Sequence, residues 1–155
     1  MEKTRTIKYI VVHCTASAPD KPVLDLWREW GERGWKHPGY HYVVTHDACV
    51  YYLLREELIA NGVKGHNAHS LHVAYTGWLG SDGRHSDTLT SGQFWKLCDL
   101  LTELSVKYPD AKVCGHRDLS PDADGDGEVE PHEWVKLCPC FNVKEKFDCL
   151  KIPFL

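Results

Sequence analysis

Tyr9-Ile10-Val11-Val12-His13, an apolar run free of charge and closed by a histidine, decides how the rest of the chain reads. Ala111-Lys112-Val113-Cys114-Gly115-His116 ends in the same way. Short apolar runs bounded by turn residues read as buried strands. The first strand is therefore predicted from about Ile7 to His13, and a later one up to His116. Open α/β sheets place their sites at strand ends, where these two histidines fall.

Working outward, Cys14-Thr15-Ala16-Ser17-Ala18-Pro19-Asp20 is a small polar loop that leaves room beside His13. A helix is predicted from near Pro22, with Val23, Leu26, Trp27 and Trp30 on one buried face and Gly31 and Gly34 marking its end. Tyr40 to Val44 reads as a second strand, whose alternation puts Tyr40, Tyr42 and Val44 on one face. His46-Asp47-Ala48 turns it into a hairpin with Cys49 to Leu53. Arg55 to Ser70 has no period and is predicted to be an ordered loop, of a length that is often functional. Leu71 to Tyr75 is a further strand, followed by an excursion from Gly77 to Asp87. Thr90-Ser91-Gly92-Gln93 has the form of a capping box. The helix it opens runs through Phe94, Leu97, Leu101, Leu104 and Val106 to about Lys107, and Pro109 ends it. Val143 to Leu150 is predicted as a short closing helix. The pattern is that of one α/β domain over residues 1–155.

At 155 residues the chain can bury a real core, and 43% hydrophobic with 26% charged residues fits a soluble globular protein. A net charge of -4 offers no field for gathering phosphates, which excludes nucleic acid as an expected partner. No apolar segment is long enough to span a membrane. Met1-Glu2-Lys3-Thr4-Arg5-Thr6 lacks the apolar core of a secretion signal, so synthesis in the cytoplasm is expected, with any action outside the cell needing another exit route. A monomer is expected. Seven cysteines, at 14, 49, 98, 114, 138, 140 and 149, form no framework pattern and read mostly as small buried residues.

Lys136-Leu137-Cys138-Pro139-Cys140, taken with His13 and His116, reads as a zinc site. Two imidazoles and a thiolate suit Zn²⁺, and three protein ligands leave the fourth position open, which is the catalytic arrangement. Cys140 rivals Cys138 as the thiolate. A cysteine hydrolase using Cys14 or Cys138 with a histidine base is the competing chemistry. Either histidine alone would read as a core residue, and His41, His46, His72 and His85 read as surface or satisfied structural residues.

Further motifs fall in a recognisable order: Ile10-Val11-Val12-His13-Cys14-Thr15-Ala16, Gly34-Trp35, Gly39-Tyr40-His41, Val63-Lys64-Gly65-His66-Asn67, Gly115-His116-Arg117-Asp118 and Lys136-Leu137-Cys138-Pro139. On these, over nearly its whole length, the chain resembles the type 2 N-acetylmuramoyl-L-alanine amidases, the zinc amidase family that includes small phage lysozymes and peptidoglycan recognition proteins. The resemblance implies a mixed central sheet with helices packed on it, and Zn²⁺ held by His13, His116 and Cys138. It places Tyr40 and Lys136 beside the reacting carbonyl. Zinc lowers the pKa of bound water to roughly 7. Lys136 would stabilise the oxyanion formed on attack. Tyr40 would orient the water or pass a proton to the leaving amine, since a phenol near a cation can have a lowered pKa. The implied substrate is the amide between N-acetylmuramic acid and L-alanine in peptidoglycan, and the implied setting is phage or prophage lysis. Trp35, His66, Asn67 and Trp78 lie in loops placed to line a substrate groove. A peptidoglycan-binding module of the same fold, without catalysis, is the alternative.

The span from His116 to Cys138 is longer than the resemblance leads one to expect, and it contains Asp122-Ala123-Asp124-Gly125-Asp126-Gly127-Glu128-Val129-Glu130-Pro131-His132-Glu133. This order fits the twelve-residue calcium loop: carboxylates at Asp122, Asp124 and Asp126, glycine at the sharp sixth place, the carbonyl of Glu128, and Glu133 as a bidentate ligand. Ca²⁺ bound there would pin the insert so that Lys136 and Cys138 return to His116. Pro121 argues against the incoming helix of a true EF-hand.

Overall fold

The computed structural model describes residues 4–155; the Met1–Lys3 part of the start, on which the missing secretion signal is partly read, lies outside them. Around the opening run the chain builds a five-stranded sheet. Strand β1 (Tyr9–Cys14) lies between β4 (Ser70–Tyr75) and β5 (Lys112–Gly115), both parallel to it. Beyond β4 come β2 (Tyr42–Val44), also parallel, and the antiparallel edge strand β3 (Val50–Tyr52). The order β3-β2-β4-β1-β5 makes the sheet mixed, as expected. Ile10, Val11 and Val12 are all fully buried, because a central strand covered on both faces has no solvent side to alternate towards.

One face carries Ile10, Val12, Leu71, Val73, Tyr75 and Val113, packed under α2 (Ser91–Lys107) and the short α3 (Val143–Lys146). The capping box opens α2: Thr90 accepts from the Gln93 N–H at 3.0 Å, and the Thr90 N–H donates to Gln93 Oε1 at 3.1 Å. The Gln93 side chain also donates to the carbonyls of Val44 and Thr76, tying the helix start to two strand ends. The apolar stripe of α2 ends at Leu104; Val106, expected on it, is 78% exposed. The closing helix is shorter than predicted, although Phe147 beyond it is fully buried.

The opposite face is covered by α1 (Val23–Glu32), whose Leu26 and Trp30 pack on Val43 and Ala74. Trp27 is 39% exposed and lies edge-on to Trp30 at 5.7 Å, so the buried stripe is narrower than the spacing suggested. Tyr40 also packs on this face with Trp30 and Val43, whereas Tyr42 and Val44 face α2. The expected alternation breaks because Tyr40 precedes the strand, and the pleat governs side-chain direction only within the paired ladder. From Arg55 the chain runs without strands to a single 3₁₀ turn at Asn67–His69, as the ordered loop predicts. Its Glu56, nearly buried, accepts from Tyr42, Tyr108 and Lys107 and fastens the loop to β2 and the end of α2.

Candidate metal centre

The parallel register of β1 and β5 sets Val12 opposite Gly115. The next residues, His13 and His116, are therefore neighbours at the carboxyl ends of adjacent strands, and their ring centroids lie 5.0 Å apart. Gly115 is needed at this crossing: a Cβ there would stand 2.7 Å from Pro139 Cδ, so only a bare backbone lets the turn carrying Cys138 close over β5. The return of that turn is held by the Arg117 N–H donating to the Cys138 carbonyl at 2.9 Å and by the Val135 N–H donating to Ser120 Oγ at 3.0 Å. The Arg117 guanidinium also stacks over Trp134, 3.9 Å from the ring centre.

One ligand atom from each of His13, His116 and Cys138 lies within 4.8 Å of the others. His13 Nδ1 is 3.7 Å from Cys138 Sγ. Tetrahedral zinc with Zn–N near 2.1 Å and Zn–S near 2.3 Å sets such atoms about 3.6 Å apart. Protonation also suits the ion. Burial, then the neighbouring His72 and His116, holds His13 well below the ordinary histidine value. Burial, then Lys136, brings His116 down to about 4. Both rings are neutral at pH 7 and have a lone pair to give. Burial pushes the Cys138 thiol up, so a cation is what would ionise it, and the Cys14 N–H points at its sulfur from 3.2 Å. Cys140 stands outside this group, with its sulfur 3.5 Å from that of Cys14.

The centre opens into a cleft of about 660 Å³. Tyr40, Trp35 and His66 line it, as does Lys136, and so do Trp30, Arg33, Lys64 and Val135, which sequence reasoning did not assign to a site. Burial, reinforced by Cys138 and Cys14, pushes the Tyr40 phenol up rather than down, so it keeps its proton and acts as a donor. Two expected groove residues lie elsewhere. The Asn67 side chain turns inward and accepts from the Val63 N–H at 2.8 Å, which shapes the loop. Trp78 stacks on His85 at 3.9 Å and packs against the α2 side of the sheet. His72, read as a satisfied structural histidine, is fully buried with its Nδ1 2.9 Å from His13 Nε2. The only sign of it in the sequence is an imidazole inside the apolar run of β4.

In the 122–133 loop, oxygens of Asp122, Asp124 and Glu133 lie within 4.8 Å of one another, while Asp126 places no carboxylate in that group. Asp122 accepts from the N–H groups of Gly125 and Gly127 at 2.8 Å each, and Glu133 from those of Ala123, Asp124 and Glu130. Both glycines have positive φ, 77° and 97°. The flanking elements are 3₁₀ turns, His116–Leu119 and Pro131–Glu133, rather than the helices of an EF-hand.

The N-acetylmuramoyl-L-alanine amidase family matches residues 3–133. The endolysin of Klebsiella phage KP32 is 30% identical over 147 residues, covering 92% of this chain and 86% of its own. An uncharacterized protein of Haemophilus influenzae is 47% identical over 81 residues, or 52% of this chain and 70% of its own. Among solved structures, the Ph2119 endolysin from a Thermus scotoductus bacteriophage superposes with a TM-score of 0.67 at 27% identity, covering 95% of this chain and 88% of that one.

Proposed function

The chain belongs to the N-acetylmuramoyl-L-alanine amidase family, and we propose that it hydrolyses the amide between N-acetylmuramic acid and L-alanine in peptidoglycan as a zinc-dependent enzyme. The observation that carries this reading is the convergence of His13, His116 and Cys138 at ligand spacing beneath an open cleft. Zinc bound there supplies Lewis acidity, which activates water and polarises a carbonyl at neutral pH.

The chain's own groups account for the rest. Lys136 lines the cleft and its positive charge is felt at His116, so its ammonium would stabilise the negative charge that develops on the carbonyl oxygen. Tyr40, protonated and half-buried beside His13 at a ring distance of 5.0 Å, donates its O–H toward the reacting groups. Among the described residues that O–H donates to the Cys14 carbonyl alone, at 3.4 Å, a bond weak enough to be exchanged for substrate. Trp35 and His66 form walls along which the stem peptide and glycan would lie. The cleft volume falls in the range of small-ligand sites.

The likeness to phage endolysins supports a role in phage or prophage lysis. In that reading the monomeric protein is made in the cytoplasm and reaches the wall by a separate route. No helix among the described residues is long and apolar enough to cross a membrane. A structural Ca²⁺ in the 122–133 loop is part of the proposal, supported by the convergence of Asp122, Asp124 and Glu133.

The test is mass spectrometry of products from purified peptidoglycan treated with zinc-loaded and with chelated protein. Free stem peptides beginning at L-alanine, released only with zinc, are the expected result. Release that survives full removal of zinc would point instead to a thiol hydrolase. Intact muropeptides in both samples, with protein bound to the pellet, would identify a wall-binding module.

A further inference from the structure

We propose that His72 is a positioning residue of the metal centre, accepting the Nε2–H of His13 and so holding that ring in the tautomer that leaves Nδ1 free for the ion. The proposal rests on the reading of His13 as a ligand. His13 Nε2 and His72 Nδ1 are 2.9 Å apart, so one donates and the other accepts. The remaining nitrogen of His13 faces Cys138 Sγ. Coordination there needs a lone pair, which sends the His13 proton to Nε2 and leaves His72 Nδ1 as acceptor.

The surrounding hydrogen bonds agree with this assignment. The backbone N–H of His72 donates to His41 Nδ1 at 3.0 Å, which puts the His41 proton on Nε2, where it is donated to the Leu58 carbonyl at 2.9 Å; the Arg5 guanidinium, 3.2 Å from that same nitrogen, then makes no hydrogen bond to it. With its Nδ1 occupied as acceptor, His72 carries its own proton on Nε2, an atom that is buried and has no hydrogen-bond partner among the described residues. The fold thus leaves one donor unpaired while keeping the bond to His13. The ring is also fixed from both sides. It lies parallel to His41, at 10° and 5.9 Å, and packs against Gly62, where a Cβ would approach to 2.3 Å. A neutral imidazole in this position orients the ligand without adding negative charge to the centre, unlike the carboxylate that commonly serves.

Two measurements test the proposal. In zinc-loaded protein with ¹⁵N-labelled histidines, long-range ¹H–¹⁵N correlation should show both His13 and His72 protonated on Nε2. A His72 protonated on Nδ1 overturns the proposal without any variant. Zinc affinity, measured by competition with a chromophoric chelator, should fall about 10- to 100-fold in His72→Leu. His72→Asn, which sets an amide oxygen where Nδ1 was, should recover most of it. Equal loss in both variants would assign His72 a packing role and sink the proposal. Unchanged affinity in His72→Leu removes the proposal and leaves the zinc reading standing. Failure of the wild-type protein to take up zinc removes that reading, and the proposal with it.

Discussion

Gly62→Ala is a one-methyl change whose cost can be worked from the geometry. The added Cβ would lie 2.3 Å from His72 Nδ1, 2.5 Å from Cγ and 2.7 Å from Cε1, where ordinary contact needs about 3.5 Å. Something must move by about 1 Å. The ring cannot move freely: it is fully buried, stacked on His41 and bonded to His13. Overpacking of this kind costs about 1–3 kcal/mol, and three ring atoms in collision place the change near the upper end. For a domain of this length that corresponds to a fall in Tm of about 6–12 °C. Urea unfolding of metal-free protein is the assay, run as a double-mutant cycle with His72→Ala. Without the imidazole, Gly62→Ala should cost less than about 1 kcal/mol, or even stabilise by restricting the unfolded chain. An equal penalty in both backgrounds would refute the collision and move its cause to the local backbone. A penalty below about 1 kcal/mol in the wild-type background would show that the loop yields, and that His72 is held less firmly than its contacts indicate.

Lys136→Ala should lower turnover about 100- to 1000-fold while zinc content, read by elemental analysis, stays at the wild-type level; lost zinc would make Lys136 a structural neighbour of the centre instead. Acid should destabilise the metal-free protein above the range where carboxylates titrate. Burial brings His41 from 6.5 to about 4, although its bond to the Leu58 carbonyl opposes this. Below pH 6.5 the unfolded chain takes up a proton that the folded ring refuses, so the stabilisation is complete above pH 6.5 and is lost as pH falls towards 4. The full loss is about 3 kcal/mol. Stability measured by urea melts between pH 7 and 4 should fall less steeply in His41→Gln, and an unchanged slope would count against the assignment. Asp122→Ala and Glu133→Ala remove acceptors of backbone N–H groups, so both should lower Tm without calcium. A bound Ca²⁺ should widen the gap from wild type, and equal shifts with and without it would reduce the loop to ordinary packing.

Much of this protein was legible in local patterns. The two strands whose ends carry His13 and precede His116, the α2 helix with its Thr90 cap, the hairpin and the long ordered loop all follow from periodicity and turn chemistry, which act over a few residues. The acidic order of the 122–133 loop is likewise a local signal. What the sequence could not decide were the relations between distant segments. The resemblance at Lys136-Leu137-Cys138-Pro139 already favours Cys138 over Cys140, but what turns that sulfur towards His13 is how the turn at Pro139 closes over Gly115. Turning Asn67 and Trp78 away from the cleft depends on what each loop packs against. The side taken by Tyr40 depends on where pairing begins. His72 shows the division most clearly, since in the sequence it is one more histidine in an apolar run. Only the parallel alignment of β4 with β1, which pairs Val11 with His72 and His13 with Ala74, brings its ring against His13. Sequence by itself determined the elements and the residues able to bind an ion, because propensity and pattern are carried by near neighbours. Tertiary structure decided which of them meet, because strand register and loop closure are settled by the packing of segments far apart in the chain.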